Sequence, residues 1–301
     1  MSRPLARTAR AFAPGHVTGI FRPEMTYRDP RGRGSVGAGV VLELGAWAEA
    51  RFLPGTRAIV RVTGDYPGPW PISEDVARRL APRRPGQLSV RLSHELPVGQ
   101  GFGMSAAGAL ATALAVRAVA GGSRSHAVEV AHLADLFGGG GLGGVAAILG
   151  GGLEIRTRAG VPPLGRVVHR PFDPKLLVGV VGRPIPSPSV LGDPVAIRRI
   201  AAAARGWERE APTAAGPFLR LAERFTDRVG LASAAVDRTV RALRRRGAWA
   251  AQAMFGESFF AVPRSPGARA DCLDWLREEG VRAVEIAAAR AGGRLNPRRP
   301  S

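Results

Sequence analysis

The residues best suited to chemistry lie in one segment, Glu95-Leu-Pro-Val-Gly-Gln-Gly-Phe-Gly-Met-Ser-Ala-Ala-Gly-Ala-Leu110. Gly99, Gly101 and Gly103 permit positive φ and leave no side chain in the way of a close ligand. The amides of Met104, Ser105, Ala106 and Ala107 then stand unpaired at the head of an Ala- and Leu-rich helix. The macrodipole is positive there, so phosphate binds without a cation. Ser105 sits at or beside the N-cap, where its hydroxyl could reach phosphate or a magnesium ion carried by a nucleotide; helix capping alone is the plainer role. A glycine triplet by itself says little, but strand, glycines, serine and helix together favour phosphate binding. A Walker A loop is excluded, because the single lysine, Lys175, is not part of a Gly-Lys-Ser/Thr tripeptide. Any phosphate site must therefore use backbone amides, a helix terminus, arginine or a metal.

The elements around this loop follow from periodicity. Alternation over Gln87–Ser93 predicts a half-buried strand running into the loop, and Ser105–Ala120 predicts a helix running out of it. Leu42–Phe52, Ala58–Val62 and Gly150–Arg158 read as further strands. Ser125–Phe137 reads as a helix stopped by Gly138–Gly141. In the second half, Lys175–Val181, Phe259–Val262 and Val281–Ile286 read as strands. Helices are expected near Pro194–Arg205, Ala215–Val229, Ser233–Arg245 and Asp271–Glu279. This irregular alternation predicts an α+β chain rather than a doubly wound parallel sheet. Gly, Pro and Arg cluster near 160–171, which places a domain boundary at residues 165/166, and the tail after Gly292 reads as loose.

Composition narrows the class. The chain has 301 residues, of which 45% are hydrophobic and 22% charged, so it is a folded protein with one large core or two modest ones. No apolar run is long enough to span a bilayer, and Met1–Ala13 lacks the apolar region of a secretory signal. Cys272 is the single cysteine, which excludes an internal disulfide and a cysteine-rich metal site. A cytoplasmic protein is the expectation. The net charge of +19 raises nucleic acid as a partner. Two features weigh against it: the arginines are scattered, and aromatics make up only 6% of the chain and are not interleaved with them.

Pro97-x-x-x-Gly101-Phe-Gly103-Met-Ser105-Ala-Ala107 resembles the nucleotide-binding motif of the GHMP kinases, the family of galactokinase, homoserine kinase and mevalonate kinase. Leu96–Leu110 as a whole is similar to the archaeal pantoate kinase branch. Ala13-Pro-Gly-His-Val-Thr-Gly-Ile-Phe21, Gly34-Ser-Val-Gly-Ala-Gly39, Ala131-His-Leu-Ala-Asp135, Ile185-Pro-Ser-Pro-Ser-Val-Leu191 and Ala253-Met-Phe-Gly-Glu-Ser-Phe-Phe260 resemble further family motifs in order. The resemblance implies a two-domain fold. Residues 1–165 would form a ribosomal-protein-S5-domain-2-like domain, and residues 166–301 a ferredoxin-like domain. It also implies ATP-dependent phosphorylation of the 4-hydroxyl of (R)-pantoate in coenzyme A biosynthesis, with ATP and Mg²⁺ required and no membrane partner; a homodimer is left open.

Residue by residue, the resemblance places ATP on Pro97, Gly99, Gly101, Gly103, Met104, Ser105, Ala106 and Ala107. Ser105 and Asp135 would be the catalytic and metal-holding pair, with Asp135 where the family has glutamate. His132 and Arg156 would bind pantoate, Arg156 by a bidentate pair to its carboxylate. Ser35, Thr18, His16 and Ser187 are weaker pocket candidates. The departure that matters is at position 144. Gly141-Leu-Gly-Gly-Val145 has Gly144 where the family carries an aspartate, the base or orienter of the attacking hydroxyl. Loss of a general base typically costs ~10²–10⁴ in rate. A slowed kinase and a non-catalytic homologue that binds nucleotide or pantoate are therefore both open at this point.

Overall fold

The structure is a computed structural model describing residues 6–66, 69–185 and 187–296. In chain order its elements are β1 (Arg7–Glu24), β2 (Gly34–Pro54), β3 (Ala58–Thr63), α1 (Pro71–Leu80), β4 (Gly86–His94), α2 (Met104–Ala120), α3 (Arg124–Phe137), the single turn α4 (Gly144–Ala147), β5 (Leu153–Arg158) and β6 (Arg166–Arg170). There follow β7 (Leu176–Val180), α5 (Ser187–Leu191), α6 (Pro194–Ala203), α7 (Ala215–Val229), α8 (Ala234–Arg245), β8 (Ala248–Gln252), β9 (Ser258–Pro263), α9 (Pro266–Glu278), β10 (Ala283–Ile286) and β11 (Arg294–Asn296). Segregated sheets and helices make the chain α+β, as expected.

Local chemistry sets many of these boundaries. The side chains of Ser123, Ser233 and Ser265 accept the amides of His126, Val236 and Ala268, satisfying donors that a helix N-terminus leaves free. Pro71, Pro194 and Pro266 occupy the first turn, where a missing N–H costs nothing.

The first sheet has the order β11-β1-β2-β4-β3, with β5 and then β6 joined to the other half of β2. All of these pairings are antiparallel except β3 with β4, which α1 connects. β2 is long enough to hold β5 along Gly37–Val40 and β4 along Ala46–Pro54. On this sheet lies α2, which is apolar on every side and correspondingly buried, with α1 and α3 against its outer flank.

The second sheet, β10-β7-β9-β8, is antiparallel throughout. Val236, Val240 and Leu243 of α8 and Cys272 and Leu276 of α9 pack against Leu177, Phe259 and Ala261. Val178, Phe260 and Val262 belong instead to the main core with Phe218 and Phe225 of α7. α7 also meets β1, where the ring of Phe218 takes the space a Cβ on Gly19 would occupy.

Three expectations need correction. His16 and Thr18, expected in a loop after Pro14-Gly15, lie within strand β1, and β2 begins at Gly34 rather than at Leu42. The segment after Gly292 is not loose through residue 296, because Arg294–Asn296 pairs with β1. Finally, residue 165 falls within the β5–β6 hairpin, and Ala288 bridges back to Leu42, so both ends of the second half join the first sheet.

Candidate active site

The glycine loop reaches α2 in the conformation that only glycine adopts cheaply. Gly101 and Gly103 have φ of +73° and +68°. Gly103 is the N-cap, Met104 the first helical residue and Ser105 the second. The amides of Met104, Ser105 and Ala106 stay free of the helix ladder. That of Ala107 does not: it donates to the Gly103 carbonyl at 3.0 Å. Ala107 therefore supports the helix start rather than offering a donor, a correction to its expected role.

A cavity of about 280 Å³ opens in front of these amides. Gly99, Gly101, Gly103, Met104, Ser105 and Ala106 form one wall, the glycine run 139–144 and Asp135 another, and His16, Thr18, Ser35 and Arg156 the floor. Phe21, Leu142, Met254 and Phe255 add apolar surface.

Asp135 lies in the last turn of α3, 2% exposed. Burial pushes its carboxyl up to about 7, and Ser105 and the backbone of Gly141 only partly oppose the shift. Its Oδ1 is buried without a hydrogen-bond partner. Gly140 makes the juxtaposition with Ser105 fit: a Cβ there would collide with Asp135 Oδ1 and stand 2.9 Å from Ser105 Oγ.

At the floor, Glu154 is fully buried on β5. Its Oε1 accepts from Arg156 Nη1 and from His16 Nε2, the latter at 2.8 Å. Burial pushes Glu154 up, but the Arg156 charge and the His16 hydrogen bond outweigh it, and the net direction is down. An ionised carboxylate only accepts, so His16 carries its proton on Nε2 and a lone pair on Nδ1. Burial lowers the His16 pKa; Glu154 opposes this, while Arg156 and His169 add to it. Arg156 Nε is buried and unpartnered, and a Cβ on Gly143 would sit 3.0 Å from it and 2.6 Å from Ser35 Oγ. Two donors thus face one point.

Comparison with known proteins bears on this geometry. Residues 72–152 match the GHMP kinases N terminal domain family. The chain has the GHMP kinase fold. It is similar to the pantoate kinase of Thermococcus kodakarensis, with 38% identity over 58% of this chain; the match spans 60% of that relative's length. It is also similar to the pantoate kinase of Methanospirillum hungatei, with 29% identity over 84% of this chain and 86% of that one. A solved structure described as a phosphotransferase related to the CoA biosynthesis pathway superposes with a TM-score of 0.85 at 29% identity, covering 96% of this chain and 99% of the other. Leu191 at the end of α5 and Met254 and Phe255 after β8 also line the cavity, so residues of the second half help to form it.

The structure gathers Gly99, Gly101, Gly103, Met104, Ser105, Ala106, Asp135, His16, Thr18, Ser35 and Arg156 around one GHMP-type cavity. His132 is not among the lining residues. Its Nε2 donates to the Arg33 carbonyl at 3.0 Å, and burial lowers its pKa to about 4, so it is a neutral prop for the start of β2. Pro97 lines an adjoining recess with Asp65, Tyr66, His94 and Pro184; Val98 and Gly99 border both spaces. Ser187 opens α5, and its side chain lies outside the described residues.

Sequence reasoning missed Glu154, whose signal was a lone acidic residue two positions before Arg156 in a strand. It also missed Tyr66 and His94 of the recess, both of which pack on the buried Trp70, with ring centroids 4.0 and 5.4 Å from it.

Proposed function

We propose that the protein is a pantoate kinase, transferring the γ-phosphoryl group of ATP to the 4-hydroxyl of (R)-pantoate to give 4-phosphopantoate for coenzyme A biosynthesis. The observation that carries this reading is that Arg156 and Ser35, which meet at Gly143, line the same small cavity as the lysine-free glycine loop. A carboxylate on Arg156 and Ser35 directs the far end of a short acid toward the phosphate amides. Phe21, Leu142 and Met254 suit the two methyl groups between those ends. The named relatives support the same choice of acid.

The triphosphate lies along Gly99–Ala106, held by the free amides and the positive end of α2. The adenine enters the adjoining recess, where Tyr66 and Pro97 offer flat apolar surface. Magnesium fits the remaining chemistry: Asp135 Oδ1 is an orphaned, buried carboxylate oxygen beside the Ser105 hydroxyl, and Mg²⁺ is usually held by one or two carboxylates plus substrate phosphates. Asp135 and Ser105 would hold it, and its charge would offset that on the phosphoryl oxygens. Phosphoryl transfer depends mainly on positioning and electrostatics, so Gly144 does not abolish it. A cytoplasmic setting goes with this reading.

The deciding assay is ADP release from Mg-ATP in the presence of (R)-pantoate, with the product identified by ³¹P NMR. Pantoate-dependent ADP and a phosphate ester at the 4-position are expected. ADP release that does not respond to pantoate, or that responds better to another hydroxy compound, refutes the assignment.

A further inference from the structure

Among the described residues that line the cavity only His16, Asp135 and Arg156 titrate or carry charge. Arg156 cannot accept a proton, and Asp135 is taken up by the metal and phosphate side. Position 144, where a carboxylate would face the acceptor, has no side chain.

His16 connects the glycine loop to Arg156. Its amide donates to the Phe102 carbonyl at 3.0 Å, and its Cβ would lie 3.2 Å from a Cβ on Gly103, so it is fixed under the glycine loop. Its Nε2 is tied to Glu154, which is tied in turn to Arg156. The pairing Thr18–Gly39–Glu154 across β1, β2 and β5 supports this arrangement. Gly39 lacks the Cβ that would collide with the imidazole, so ring and carboxylate meet above the sheet. Nδ1 has one weak neighbour, Thr18 Oγ1 at 3.4 Å, on the cavity side. Glu154 is 0% exposed and not a lining residue, so it acts only through the other two.

We infer that His16 is the catalytic proton acceptor of the transfer proposed above and that Glu154 is its positioning residue. This arrangement stands in for the carboxylate missing at position 144. The 4-hydroxyl oxygen attacks the γ-phosphorus. The new O–P bond forms as the bond from the γ-phosphorus to the β–γ bridging oxygen breaks, and ADP leaves with that electron pair. The hydroxyl proton moves to His16 Nδ1. Glu154 stabilises the resulting imidazolium through Nε2, and the proton passes to solvent when product leaves. Holding His16 and Arg156 on one carboxylate oxygen also sets the distance between the proton acceptor and the substrate carboxylate.

The inference rests on the pantoate kinase reading, and the wild-type assay separates the two. If the wild type does not phosphorylate pantoate, both fall. If it does, His16→Asn should lower kcat by ~10²–10⁴-fold with both KM values within about threefold of wild type. A loss under tenfold, or one confined to KM, overturns the inference while leaving the kinase reading intact. In His16→Ala, imidazoles added to the assay should restore turnover, with the rate rising with the basicity of the imidazole; rescue that ignores basicity overturns it. Glu154→Gln should lower kcat more than it raises the KM for ATP, and the opposite split counts against the positioning role. Should these variants fail to fold, ¹⁵N NMR of the wild-type histidines decides. The neutral Nε2–H form of His16 at pH 7.5 is expected, and an Nδ1–H or doubly protonated ring overturns the inference.

Discussion

Asp135→Asn separates the cost of the metal site from its use. The folded carboxyl sits at about 7, against an ordinary 3.8, because α3 carries it into the core next to Ser105. A group raised in the fold favours folding in its protonated form. Its stability is therefore complete below pH 3.8 and lost progressively as pH rises to about 7. With Oδ1 unpartnered, linkage gives a penalty of about 2 kcal/mol at pH 5 and about 4 kcal/mol at pH 8. Asparagine keeps the volume and cannot ionise. In chelator, urea denaturation should find the variant more stable than wild type by an amount that grows from pH 4 to pH 7 and is level above it. Other titrating groups are common to both proteins and cancel. Added Mg²⁺ with ATP should raise the stability of the wild type at pH 8 far more than that of the variant, and turnover should fall at least ~10²-fold in the variant. Equal stabilities for the two proteins at pH 5 and pH 8 would refute the claim that this carboxylate is held desolvated.

Arg156→Met should raise the KM for the hydroxy acid by ~10²-fold and destabilise the fold by about 3–5 kcal/mol in urea, because Glu154 loses its main counter-charge. Gly140→Ala should cost about 10²-fold in kcat/KM for Mg-ATP and about 1–3 kcal/mol in urea denaturation, since its Cβ would collide with the buried Asp135 Oδ1 and stand 2.9 Å from Ser105 Oγ. Gly144→Asp should not raise turnover: its Cβ would lie 2.6 Å from that of Ala106, and overpacking α2 should cost about 1–3 kcal/mol in the same denaturation assay. Tyr66→Ala should raise the KM for ATP by the loss of about 1–3 kcal/mol of stacking and leave that for pantoate unchanged.

How much of this was legible depends on whether a signal was local. The loop from Gly99 to Ala106 and its helix could be read because both the φ requirement and the free amides belong to consecutive residues. Ser105 and Asp135 were named as partners, but the reason they meet, the missing Cβ of Gly140, lies in packing between separate elements. β1 was not legible: Pro14 and Gly15 read as a loop, whereas the strand tolerates them at an irregularity in its register with β2. His132 was drawn to the site by likeness of motif, yet its ring turns to the Arg33 carbonyl, and the spacing of three on one helical face did not decide which way it pointed. Glu154 went unnoticed for the complementary reason. A lone glutamate in a strand carries no pattern, and its chemistry arises only where β5 pairs beside Gly39 and brings it to His16, which is 138 positions away. Composition had already required that phosphate be bound without lysine. What it could not specify is that the other charged groups would be divided in space, with one carboxylate left unpaired for the metal side and another bound on its Oε1 between a histidine and an arginine. That division lets one small cavity hold an anion at each end and keep a proton acceptor between them.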